Sequence, residues 1–147
     1  MPEVHWIRDQ IKVEVEGDLV LVTPGEAWSF EVTQEYFALL DEIRRRNKLL
    51  FLIVDARRGT RVPEERVRRL VATWSAKNTF SGMAIFGVSP LMHGLALLIF
   101  NAANLFRRGS APITFVKDQE EGRRWVAERR ASLLAKSGES SGESSGA

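Results

Sequence analysis

The sequence predicts an α/β domain: an open, mostly parallel sheet entered through an N-terminal hairpin and packed with four helices, in the order ββαβαβαβα. Three observations carry that prediction. Ile11, Val13 and Val15 alternate with Lys12, Glu14 and Glu16, the period of a strand with one wet face. The run "LLFLIV" at Leu49–Val54 is apolar without interruption, as expected of a strand covered on both faces. Beyond it, apolar runs alternate with helix-spaced stripes as far as Leu134, the pattern of strand–helix–strand units.

Each element follows from local chemistry. Gly17-Asp18 offers a tight turn from the first strand into "LVLV", and Pro24-Gly25 ends the hairpin. With Thr33 as N-cap, Tyr36, Phe37, Leu39, Leu40 and Ile43 recur at helical spacing up to the basic stretch Arg44–Asn47, a favourable helix end. After the central strand, Pro63 suits the first helical position and Glu64 and Glu65 the first turn, before a stripe of Val67, Leu70, Val71 and Trp74. "MAIFGV" from Met83 reads as the next strand. Pro90 then opens a helix extending to about Arg107. On its wheel Leu91, Leu95, Leu98, Ile99, Ala102 and Phe106 share one side, while Leu97 and Phe100 project away from it. "ITFV" at Ile113 is the last strand, and Asp118 with Glu121 forms an acidic variant of the capping box ahead of Trp125 and Val126. Residues 1–136 form one domain. The Ser/Gly/Glu repeat of 137–147 has no apolar residue before Ala147 to offset the entropy of ordering, and is expected to be disordered.

Composition narrows the function classes. A chain of 147 residues, 44% of them hydrophobic, supports a single core. It contains no cysteine, which excludes disulfides and thiol chemistry and suits a reducing, cytoplasmic setting. The N-terminal "MPEVHWIRDQ" lacks the features of a signal peptide, and the apolar run Leu95–Phe106 is broken by Asn101 and Asn104, too short for a bilayer span. The net charge of +2 gives no reason to expect a nucleic-acid partner. Sixteen of the 21 basic residues are arginine, a bias compatible either with anion recognition or with plain compositional preference.

Catalytic chemistry finds no footing. His5 and His93 stand apart from any metal-ligand spacing, "RRGTR" lacks the spacing of a phosphate loop, and no serine sits in a nucleophile elbow. The expectation is a protein that is not an enzyme and carries no metal or cofactor. The candidate site is the loop after the buried strand, because ligands of open parallel sheets favour the crevice beyond the strands' carboxyl ends. That loop brings Asp55, Arg57, Arg58 and Arg61 together, followed by Glu64 and Glu65, as a partner-binding or anion-binding surface. For Asp55 itself a structural role, capping the loop's N–H groups or pairing with Arg57 or Arg58, is expected ahead of general-base work. Leu97 and Phe100 mark a second candidate, an apolar interface.

The element order, "VTPGEAWSFEVTQEYFALLDEI", the strand ending in Asp55, "MAIFG" and the closing "ITFVKDQEEGRRWV" together resemble SpoIIAA-like proteins, and among them the bacterial STAS/SEC14-like domains. The resemblance covers about Ile11 to Leu134. It implies the open sheet described above and two lines of function. One is a regulatory interaction module with a protein partner. The family's anti-anti-sigma members carry a phosphorylatable serine or threonine at the helix after the buried strand; this chain has "VPEER" there, so that switch is expected to be absent. The other is binding of an apolar ligand, lipid or membrane surface through the helix at 91–106. Whether the chain forms a homodimer stays open.

Overall fold

The computed structural model describes residues 2–26, 28–59, 63–77, 80–102 and 113–145, with side chains for all but 99–102 and 137–145 of these. Six strands, β1 (Glu3–Ile7), β2 (Ile11–Glu16), β3 (Leu19–Pro24), β4 (Phe51–Asp55), β5 (Gly82–Phe86) and β6 (Ile113–Phe115), lie in one mixed sheet. Four helices accompany them: α1 (Phe30–Arg46), α2 (Glu65–Lys77), α3 (Pro90–Ala102) and α4 (Gln119–Ser145). The expected α/β class is observed, with one strand more than the sequence suggested. β1 turns the opening hairpin into a three-stranded antiparallel meander, and β3 to β6 then pair in parallel. The missed turn is Arg8-Asp9. Both residues adopt positive φ, of 48° and 57°, although neither is the glycine or asparagine that usually announces such a turn.

Strand order in space equals strand order in sequence, β1 to β6. Three successive crossovers that all advance in the same direction, with one hand, place their helices on one face. The alternation of side chains divides the core accordingly. Val20 and Val22 of β3, Leu52 of β4, and Met83 and Ile85 of β5 pack with Val32, Phe37 and Leu40 of α1, Trp74 of α2 and Ala96 of α3. Leu19, Leu21, Phe51, Ile53, Ala84 and Phe86 point the other way, toward Trp125, Val126 and Leu133 of α4. Gly82 makes the second packing feasible: a Cβ there would stand 2.9 Å from Trp125 Cη2.

Several helix ends differ from expectation by a few residues. The N-cap of α1 is Ser29, whose Oγ accepts the Val32 N–H at 3.2 Å; Thr33 is instead buried and donates its hydroxyl to Ser29 O at 2.8 Å. α2 begins at Glu65 rather than at Pro63. Ser89 caps α3, and Asp118 Oδ1 accepts the Glu121 N–H at 2.9 Å to start α4. Glu121 reaches back to the Lys117 N–H, one residue earlier than a standard capping box. The backbone of α4 runs on to Ser145, into the Ser/Gly/Glu tail; among its described side chains the last one packed in the core is Leu133.

α4 is held by arginine chemistry as well as by apolar burial. Arg123 donates to both carboxylate oxygens of Glu16, at 2.9 and 3.2 Å, and Arg130 forks onto Asp18 while lying 5.2 Å from the centre of the Phe51 ring. Arg129 donates to Ser81 O. The arginine bias of the sequence is thus partly spent on structure.

Candidate functional site

Between the sheet and α1–α3 lies an apolar cavity of about 200 Å³. Its floor is Val22, Leu52, Val54, Met83 and Ile85, the same alternate positions that form the helix-facing core. α1 contributes Tyr36 and Phe37, α2 contributes Arg68, Val71 and Ser75, and α3 contributes Met92, Leu95 and Ala96. Pro24, Gly25, Ala56, Gly59, Pro63 and Val88, from the loops at the strands' carboxyl ends, complete the rim. The rim thus lies at the strands' carboxyl ends, although a strand order that never reverses forms no topological switch point there.

One wall is a chain of aromatic rings. Trp28 meets Tyr36 edge-on at 6.1 Å, Tyr36 meets Phe37 at 5.2 Å, Phe37 stacks on Trp74 at 4.3 Å, and Trp74 meets Phe80 at 5.3 Å. Such contacts fix ring positions beyond what burial alone would do. Burial also pushes the Tyr36 hydroxyl well above the ordinary phenol range, so it stays protonated. The space measures about 200 Å³ and is partly open to solvent. It exceeds the engineered apolar cavity of about 150 Å³ that admits benzene.

α3 explains why the space is there. It is almost wholly apolar in sequence, yet none of its described side chains is fully buried. Met92, Leu95 and Ala96, at helical spacing, face the cavity, whereas Leu91 and Leu98 are each 68% exposed and Leu97 is 37% exposed. The wheel had grouped Leu91 and Leu98 with the core side; the structure turns them outward. Leu97 also lies on the face turned away from the cavity. The side chain of Phe100 lies outside the described residues.

The loop predicted to be the site is divided by the pleat of β4. Val54 and Ala56 point toward the cavity, but Asp55 and Arg57 belong to the opposite, α4-facing side. There Asp55 accepts the Arg57 backbone N–H at 3.1 Å and its guanidinium at 3.0 and 2.8 Å, and Arg57 leans over Phe86 at 5.5 Å. The guanidinium hydrogen bonds hold the Asp55 carboxyl below its ordinary range and raise Arg57 further. Gly87, at φ +76°, permits this clasp, since a Cβ there would collide with Arg57 Cγ. Arg58 is exposed, and Arg61 lies outside the described residues. Glu64 and Glu65 pair with Arg66 and Arg69 of α2, at 3.5 and 2.7 Å.

Sequence reasoning missed Arg68. It borders the apolar stripe of α2, in line with Val71 and Ser75 at i, i+3 and i+7, and that position at the stripe's edge was the available signal. Among the described residues, no group of three or more His, Asp or Glu side chains could hold a metal ion, and no helix is long and apolar enough to cross a membrane. Comparison with models of known protein families returns no match, and no curated protein matches the chain.

Proposed function

We propose that this protein is a non-catalytic binder of a slender apolar ligand, such as a single acyl chain, held between the sheet and α1–α3. The observation that carries the reading is the apolar cavity of about 200 Å³ at the strands' carboxyl ends. Its volume lies below the about 300 Å³ at which pockets for drug-sized ligands begin, which favours a narrow chain over a bulky ring system. The mixed α/β sheet with three helices on one face supports the SpoIIAA-like, STAS/SEC14-like reading of the chain, and this cavity favours the ligand-binding line of that resemblance over the regulatory one. An interaction module built on the Arg57–Arg61 loop has less support, because Asp55 already occupies Arg57.

The test is native mass spectrometry of the full chain, freshly purified and then incubated with octan-1-ol. One bound molecule per chain is expected, and quenching of tryptophan emission by a brominated analogue, diminished in a Trp28→Phe variant, would place it beside Trp28. Absence of binding at any accessible concentration overturns the reading. A second observation favours an accompanying contact: the outward Leu91 and Leu98 give α3 a second apolar face suited to a lipid surface. Co-flotation with phosphatidylcholine vesicles, lost in a Leu91→Ser/Leu98→Ser variant of unchanged stability, is the expected result.

A further inference from the structure

We infer that the cavity selects an anionic amphiphile, with Arg68 as the residue that receives the acid head group and the apolar chain running from there toward Ser75 and Phe80. The inference rests on the cavity being a ligand site.

Arg68 is the one charged side chain among the described residues lining an otherwise apolar wall. Its helix neighbours Arg66 and Arg69 are both paired, with Glu64 and Glu65, but no carboxylate among the described residues lies within ion-pair distance of Arg68. Its recorded hydrogen bond runs from Nη1 to the Pro63 carbonyl, at 2.9 Å. That bond anchors the guanidinium beside the rim and engages only part of a five-donor fork. A half-buried guanidinium turned to apolar surroundings gains most from a partner that brings negative charge and planar or tetrahedral oxygens, a carboxylate or a phosphate.

The rest of the lining sets direction. Arg68 lies near the start of α2, beside Pro63 and the loops at the strands' carboxyl ends, and Ser75 lies seven residues further along the same helix face. At about 1.5 Å per residue, that spacing is about 10 Å. Between and beyond them the lining is Val71, Leu52, Met83 and Phe80, which offer an alkyl chain apolar contact. A head group at the far end would find only the Ser75 hydroxyl among apolar side chains, so the charge of Arg68 favours the opposite orientation.

The experiment measures binding of octanoate, octyl phosphate and octan-1-ol to the full chain by calorimetry at one ionic strength, for wild type, Arg68→Gln and Arg68→Lys. In wild type at least one acid should bind about tenfold or more tightly than the alcohol, as expected for charge-assisted hydrogen bonds at a half-buried site. The preferred acid tells whether carboxylate or phosphate is the natural chemistry. Arg68→Gln should erase the preference while leaving octan-1-ol affinity within about twofold, and Arg68→Lys should keep part of it. Equal binding of acids and alcohol by wild type overturns the inference and leaves the apolar-site reading standing. No binding of any of the three overturns both. An acid preference that survives in a folded Arg68→Gln variant overturns the role of Arg68, and the wild-type comparison remains decisive if that variant does not fold.

Discussion

A cavity that exists for a ligand should make stability and binding move in opposite directions when it is filled. Ala96 on α3 lines the cavity from the helix side and is half-buried. Ala96→Leu adds three carbons to that space; at about 0.8 kcal/mol for each buried methylene equivalent the gain is at most about 2.4 kcal/mol. Ordering a leucine side chain costs about 0.5–1 kcal/mol, which leaves a net gain of about 1.5 kcal/mol. For a chain of this size that is a rise in Tm of about 3–6 °C. Urea midpoints and octan-1-ol titrations on the same preparation provide the assay: the midpoint should rise while affinity falls by at least tenfold. Destabilisation of about 1–3 kcal/mol, the usual cost of overpacking, with binding unaltered, would refute the reasoning, because the added carbons would then have met atoms where the structure shows space.

Four further outcomes are expected. Leu40→Ala, at a fully buried position of α1, should cost about 2–5 kcal/mol, and Leu95→Ala clearly less, because Leu95 borders space on one side; equal urea-midpoint losses would show that α3 is ordinary core. Asp55→Asn should destabilise at neutral pH, and since the native carboxyl titrates below its ordinary value of 3.8, the difference from wild type should hold above about pH 5 and vanish as pH falls through the depressed value, as read from denaturation across the acid range. Gly82→Ala should cost about 1–3 kcal/mol through collision with the Trp125 ring, and should be relieved by a smaller side chain at 125 in the double variant. Deleting 137–147 should leave Tm unchanged within about 1 °C, because the segment has no apolar residue before Ala147 to bury; a larger fall in a thermal melt would mean that the tail is docked.

The sheet was legible because its signals are periodic. Ile11/Val13/Val15 and the unbroken Phe51–Val54 run declare one wet and two dry faces, and those burials are what the structure contains. β1 escaped because its turn puts Arg8, a residue that seldom takes positive φ, beside Asp9, which tolerates it, with no glycine to mark the turn. The site was half legible. That the strands' carboxyl ends form a rim follows from the chain order, but which loop side chain faces which side depends on the pleat, and the pleat sends Asp55 and Arg57 away from the cavity. Arg68 was obscured by its neighbours: in a run of three arginines within four residues, periodicity does not say which one lacks an acid. α3 misled for a related reason. A helix apolar all round has no preferred face on a wheel, and tertiary packing alone chose Met92, Leu95 and Ala96 as its inner side.

The docking of α4 has a bearing on how the chain is made. Arg123 and Arg130 grip Glu16 and Asp18 across separations of 107 and 112 residues, so these contacts form only after nearly the whole domain has been synthesised. Until α4 emerges from the ribosome, Leu19, Leu21, Phe51, Ile53 and Phe86 present a wet apolar sheet face, the kind of surface that recruits chaperones or neighbouring nascent chains. The end of β2 and its turn into β3 carry the two acids that await those arginines, so a hairpin made early in synthesis also holds the receptor for the last helix to arrive.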